Sequence, residues 1–188
     1  MRIAIDIDST LHHYWDQFAD AAKRRFGVEL PYTEQGWEID RLRPEQVRAC
    51  VAETHNDDRI LDAEPYPDAV ETVRAWHDAG HFIHITSHRA GGCHVATATW
   101  LDQIGLPFDD LHCSYDKVSR CVELEIEILV DDSPVNIRRA IERGITAATL
   151  VHPWNQDVCD EEVVVCAGVW PELERKLRPL LSQASRVA

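Results

Sequence analysis

The chain is short of positive charge. It carries 19 Lys and Arg against 33 Asp and Glu, a formal net charge of −14. Binding to a polyanion such as duplex DNA rests on Lys and Arg neutralising phosphates, so a nucleic-acid polymer is excluded as the main partner. A small phosphorylated ligand is not excluded, because a bound cation reverses the local field. No apolar stretch approaches the roughly 20 residues that span a bilayer, so no membrane partner is expected. The opening residues, one Arg and then a strand running into acids, do not form a signal peptide, and a cytoplasmic location is expected. The six cysteines lack C-x-x-C spacing. Zinc and a disulfide framework are therefore not expected, and free thiols are. The ten histidines are scattered without metal-ligand spacing. Internal repeats and low-complexity segments are absent. Charged residues are 28% and hydrophobic ones 45%, so disorder is not the default and 188 residues suffice for one compact domain.

What is present is concentrated first in Asp6-Ile7-Asp8-Ser9-Thr10, which follows the apolar run Arg2-Ile3-Ala4-Ile5. Two carboxylates two residues apart at a strand's carboxyl end sit where open parallel sheets bind ligands. Such crowding is unfavourable without a positive partner, and Mg²⁺ suits hard oxygen ligands. An acidic turn capping a helix is the plain alternative.

Apolar runs predict strands over 2–7, 81–86, 126–130 and 147–151. Spacings of three and four predict helices over 11–26, with Gly27 as its stop, and over 92–104 and 135–143. A helix opens at Pro44, runs to about 55 and is broken by Asn56-Asp57-Asp58. Another follows the turn at Pro65–Asp68, and the last spans about 171–183, before a tail at Ser182–Ala188 expected to fray. Alternating strands and helices imply a parallel sheet with right-handed crossovers. The expected fold class is α/β, a three-layer Rossmann-like parallel sheet. The stretch from Thr10 to residue 68 exceeds one crossover. It reads as a small helical cap over 12–66 inserted after the first strand, with 1–11 and 67–188 as the core.

Four polar signals fall at strand ends or the loops after them: Asp6-x-Asp8-x-Thr10, Thr86-Ser87, Lys117 and Asp131-Asp132. In this order they resemble the haloacid dehalogenase-like (HAD) phosphatase superfamily over nearly the whole chain. Asp131-Asp132-Ser133-Pro134-Val135-Asn136, Gly144-Ile145 and Pro153-Trp154-Asn155 resemble the 5′(3′)-deoxyribonucleotidase-type branch. The resemblance implies a Mg²⁺-dependent phosphomonoesterase acting through an aspartyl-phosphate. Asp6 is then the nucleophile. Asp8 is the acid and base, its plain alternative being a metal ligand only. Asp6, the Asp8 carbonyl and one of Asp131 and Asp132 hold the metal, with Asp132 favoured as direct ligand. Lys117, whose plain alternative is a solvated lysine, neutralises phosphate. Thr86 and Ser87 bind phosphate, and Thr10 supports the loop. A dehalogenase of this superfamily lacks the second acid, so Asp8 points to a phosphatase.

The cap is expected to wall the leaving group. Tyr14, Trp15, Phe18 and Trp37 are candidates to stack on a nucleobase, with cap core as the alternative. His12 and His13 depart from that branch, which carries small or apolar residues there. His88-Arg89 reads as a surface loop, the alternative being reach toward a phosphate or the cap. A nucleoside monophosphate is the expected substrate. The rivals are another small ester such as a sugar phosphate, and a non-catalytic binding module. A homodimer stays open.

Overall fold

A computed structural model describes residues 1–184. Six parallel strands form one sheet: β1 (Arg2–Asp6), β2 (Phe82–Ser87), β3 (Asp110–Cys113), β4 (Ile128–Val130), β5 (Thr146–Leu150) and β6 (Val164–Ala167). Their spatial order is β3-β2-β1-β4-β5-β6, with β1 and β4 at the centre. The two central strands read as unbroken apolar runs because helices cover both faces. On one face Ile3, Ile5 and Ile7 pack with Val73 and Trp76 of α4 (Ala69–Asp78), Trp100 of α5 (His94–Gln103) and Leu173 and Leu177 of α9 (Trp170–Ala184). On the other, Ala4 and Leu129 pack with Cys121 of α6 (Lys117–Glu123) and Ala140 of α7 (Pro134–Glu142). This is the expected three-layer α/β architecture.

β3 and β6 were not expected from the sequence. Both are four-residue edge strands, and β3 is only half-buried along its length. β3 gives no apolar run, because an edge strand needs one sheet partner and little burial; β6 lies in the run Val163-Val164-Val165-Cys166-Ala167, a signal that the sequence does carry.

Between β1 and α4 lie α1 (Tyr14–Phe26), α2 (Pro44–Thr54) and α3 (Asp57–Leu61). Phe18, Ala21 and Ala22 of α1 pack with Leu30, Leu42 and Cys50 into a cluster separate from those of the sheet. Gly27 ends α1 in the left-handed conformation, φ 66°, donating its N–H to the Lys23 carbonyl. A side chain there would be strained.

Three expectations need correction. The first helix starts at Tyr14 rather than 11, because Thr10, Leu11 and His12 all turn their N–H groups onto the Ile7 carbonyl. Asn56-Asp57-Asp58 begins a helix as well as ending one: Asn56 Oδ1 accepts from Arg59 N at 3.0 Å and caps α3. Cys159 and Cys166 form a disulfide, while Cys50, Cys93, Cys113 and Cys121 are free thiols. The turn from α8 (Gln156–Cys159) into β6 brings these two Cα atoms to 5.7 Å, a closeness that sequence spacing does not reveal. Residues 182–184 continue α9, and 185–188 of the expected tail lie outside the described residues. Among the described residues, no helix is long and apolar enough to cross a membrane.

Candidate active site

Register builds the site. Asp6 ends β1 directly beside Thr86 of β2. Asp131 and Asp132 follow β4, which pairs with β1 on its other side, and Asp131 N donates to the Ala148 carbonyl of β5 at 3.1 Å. The acids therefore meet at the carboxyl edge of the sheet.

One oxygen from each of Asp6, Asp131 and Asp132 lies within 4.8 Å of the others. Lys117, at the start of α6, is buried and donates its ammonium to Asp6 Oδ1 and, at 3.2 Å, to Asp131 Oδ2. Asp131 is saturated: Ser133 N reaches Oδ1 at 2.9 Å, and Asn136 Nδ2 reaches Oδ1 and Oδ2 at 3.2 and 3.1 Å. Among the described residues the Asp132 carboxylate accepts only from Trp154 Nε1, at 3.0 Å on Oδ2, which leaves its Oδ1 free. Burial pushes the Asp6 carboxyl up to about 7, opposed by Lys117 and helped by the charges of Asp131 and Asp8. Burial, then Asp6 and Asp131, push Asp132 well above the carboxylate range. Burial alone would lower the Lys117 ammonium, but Asp131 and Asp6 raise it. With its three carboxylates ionised, the cluster keeps a negative charge that one lysine does not balance. Three hard oxygen donors with surplus negative charge fit a divalent cation such as Mg²⁺.

Thr86 is fully buried, and its Oγ1 has no hydrogen-bond partner. A buried hydroxyl without a partner is unfavourable, although neither Thr86 nor Ser87 is among the residues that line the cavity over the acids. Ser87 instead turns its Oγ to Asp8 Oδ2 at 3.4 Å and accepts from Arg89 N at 3.2 Å. Thr10 is buried, and its carbonyl accepts Trp170 Nε1 at 3.1 Å, tying the loop to α9.

Asp8 is surrounded by groups that the sequence did not place there. Arg89 Nη2 lies 2.8 Å and His12 Nε2 2.9 Å from its Oδ1, and His55 Nε2 lies 3.4 Å from its Oδ2. Burial pushes the Asp8 carboxyl up, but Arg89, His12 and His55 outweigh it and hold the group well below the usual carboxylate range. Arg89 is 1% exposed, so the surface-loop reading of this residue is wrong. Position alone could not reveal this, because the half-buried Asp8 that draws it inward lies 81 residues away.

A cavity of about 730 Å³ opens over these groups. Asp6, Asp8, Lys117 and Asp132 line its floor; Tyr14, Trp15, Phe18 and Trp37 line its wall with Val47 and Val51 of α2. The four aromatic candidates therefore share one cavity with the acids. Tyr14 and Phe18 also belong to the α1–α2 apolar cluster, so they serve both readings. His88 lines the cavity as well, its ring stacked on that of Tyr115. His13 does not; its ring lies against Tyr66, 4.0 Å between centroids, at a second cavity of about 540 Å³ that contains none of the clustered acids. His55 and Arg48 line the main cavity without having been singled out from the sequence, and Trp154, quoted there only for the family resemblance, lines it too.

Solved structures share this architecture. A HAD family hydrolase from Deinococcus radiodurans R1, with bound phosphate and sodium, is 16% identical, with TM-score 0.63 over 97% of this chain and 95% of that one. A HAD hydrolase of family IA, variant 3, from Entamoeba histolytica is 13% identical, with TM-score 0.65 over 94% and 99%. An L-2-haloacid dehalogenase is 16% identical, with TM-score 0.55 over 94% and 98%. At these identities the likeness is one of fold. No curated protein sequence matches. The family profile described as 5′ nucleotidase, deoxy (Pyrimidine), cytosolic type C matches residues 1–177. The chain belongs to this NT5C family of HAD-like 5′-nucleotidases and is a phosphoric monoester hydrolase.

Proposed function

We propose that the protein is a Mg²⁺-dependent phosphomonoesterase for (deoxy)nucleoside monophosphates that works through an aspartyl-phosphate on Asp6. The observation that carries this reading is the Asp6 carboxylate, set between the Lys117 ammonium and the Asp131–Asp132 pair on the floor of an aromatic-walled cavity. Residues 12–66 act as the cap and supply Tyr14, Trp15, Phe18 and Trp37 to the base. The family's cytosolic type supports a cytosolic location.

Asp6, the Asp8 carbonyl and Asp132 would hold Mg²⁺. The free Oδ1 of Asp132 supports it as direct ligand, and the saturation of Asp131 supports an orienting role. The cation would screen phosphate charge as nucleophile and ester approach.

Lys117 neutralises the phosphate, and the Thr86 hydroxyl and the Ser87 N–H bind its oxygens. An Asp6 oxygen attacks phosphorus. The bond to the ester oxygen breaks, and that oxygen takes a proton from Asp8 to leave as an alcohol. Asp8, now a carboxylate, takes a proton from water as the water oxygen attacks phosphorus. The bond to Asp6 breaks and inorganic phosphate is freed. In the ligand-free protein Arg89 holds Asp8 ionised; an incoming phosphate is a like charge that favours its protonated form.

Purified protein with Mg²⁺ should release phosphate from an aryl phosphate, and Asp6→Asn should abolish it. An unchanged rate in that variant would refute the reading. A panel of nucleotides and sugar phosphates decides the substrate: nucleoside monophosphates should lead, and no preference for them would refute the nucleotidase assignment.

A further inference from the structure

Arg89 is 1% exposed and meets the reacting groups through the Asp8 carboxylate. One Nη2 touches Asp8 Oδ1 at 2.8 Å and His12 Nε2 at 3.1 Å. Nη1 meets Thr97 Oγ1 of α5 at 3.3 Å, and the guanidinium carbon stands 5.9 Å from the centre of the fully buried Trp100 ring. Its backbone N–H donates to Ser87 Oγ. Arg89 and His12 are absent from the lining of the acid-floored cavity, whereas Asp8 and His55 are part of it. The contacts divide the carboxylate. Oδ1 is gripped by Arg89 and His12 from inside the protein, and Oδ2 is left beside Ser87 and His55.

A buried ion pair is a weak source of stability, because desolvating both charges offsets their attraction. It is a strong source of orientation. A guanidinium fixed by Thr97 and Trp100 confines the carboxylate it binds, and a reacting group displaced by about 1 Å can lose roughly 10²-fold in rate.

We propose that Arg89 is a positioning residue that fixes the rotamer of Asp8, turning Oδ2 toward the leaving group of the ester. The inference rests on the acid role of Asp8 proposed above. Arg89 acts through Asp8 and does not touch the phosphate.

The test compares kcat/KM for an alkyl ester, a nucleoside 5′-monophosphate, with that for dinitrophenyl phosphate, whose leaving group needs no proton. Arg89→Lys, Arg89→Met and Asp8→Asn are measured beside the wild type, with inorganic phosphate as competitive inhibitor. The ratio of the two rates in one preparation is independent of how much protein is folded. Both Arg89 variants should slow the alkyl ester by roughly 10- to 100-fold and the activated ester by less than about 3-fold, with Lys the milder. Inhibition by inorganic phosphate should stay within about 3-fold, since the Nη atoms of Arg89 are taken up by Asp8, His12 and Thr97. Asp8→Asn should show the same selectivity more strongly. Equal loss on both esters in the Arg89 variants, with selectivity kept in Asp8→Asn, would make Arg89 a structural residue and overturn the proposal alone. A phosphate inhibition constant weakened about 10-fold or more in the Arg89 variants would make Arg89 a phosphate ligand and also overturn it. Equal loss on both esters in Asp8→Asn would overturn the acid role itself, and this proposal with it.

Discussion

The indole N–H of Trp154 donates to Asp132 Oδ2 at 3.0 Å, so one side chain both walls the cavity and aims a carboxylate of the acidic cluster. The indole is itself held. His152 lies flat against it, 4.5 Å between centroids and 1° between planes. Groups that orient a metal ligand typically carry about 10- to 100-fold of affinity or activity. Trp154→Phe keeps the aromatic wall and removes the N–H. It should raise the Mg²⁺ concentration for half-maximal activity by roughly 10-fold and weaken Mg²⁺ binding to match in isothermal titration calorimetry. Unchanged Mg²⁺ affinity would show that Asp132 does not need the indole.

Lys117 lies between Asp6 and Asp131, both buried. Lys117→Met leaves those carboxylates facing each other without their cation. Breaking a buried pair from one side is worth about 3–5 kcal/mol of stability. Urea unfolding without Mg²⁺ should show a loss of that order, partly recovered by adding Asp6→Asn, which removes one of the two stranded charges. A variant as stable as the wild type would mean that Asp6 takes up a proton at no penalty.

Trp37 is 45% exposed on the cavity wall, so its truncation should scarcely change the melting temperature. Stacking on an aromatic is worth about 1–3 kcal/mol per base. Trp37→Ala should raise KM for a nucleoside monophosphate by roughly 5- to 100-fold and leave KM for a sugar phosphate unchanged. An equal effect on both would remove Trp37 from base recognition.

His152 is buried as the neutral ring. Its Nε2 donates to the Ser9 carbonyl at 2.8 Å, and its Nδ1 accepts from the Tyr32 hydroxyl at 2.8 Å. Burial pushes its pKa down from 6.5 to about 4. The unfolded chain then binds the extra proton between those two values. The stability this ring contributes is complete above pH 6.5, falls as the pH drops toward about 4, and amounts to at most about 3 kcal/mol. In urea titrations across that window, the stability difference between wild type and His152→Gln should shrink toward acid. A constant difference would show that His152 is not held neutral.

The Cys159–Cys166 disulfide closes a short loop between α8 and β6. Closing a loop of this size stabilises by about 2 kcal/mol in the chain-entropy account. Denatured protein should show four reactive thiols before reduction and six after. Reductant should lower the melting temperature, and Cys159→Ser should abolish that response. Six thiols before reduction would rule the bond out.

The central strands and the acidic motifs were legible because their signals are local. Ile3, Ile5 and Ile7 make an apolar run that two covering layers demand, and Asp6, Thr86, Lys117 and Asp131 each follow a recognisable strand or loop. The edge strand β3 was not legible, since a half-buried strand needs no apolar run, whereas β6 was legible in the run Val163–Ala167. α3 was hidden because Asn56 ends one helix and caps the next, and a polar break looks the same in both roles.

The sequence by itself determined the parallel α/β core, the order of the polar strand ends and the surplus of acid that needs a cation. Periodicity and adjacency along the chain are enough for these. Only the tertiary structure decided what surrounds each carboxylate. Arg89 reaches Asp8 across 81 residues, His55 arrives from the end of α2, and Trp154 reaches Asp132 across 22. Such partners are selected by the unfavourable energy of a buried, unsatisfied charge. That energy exists only once the chain has folded and water has been excluded.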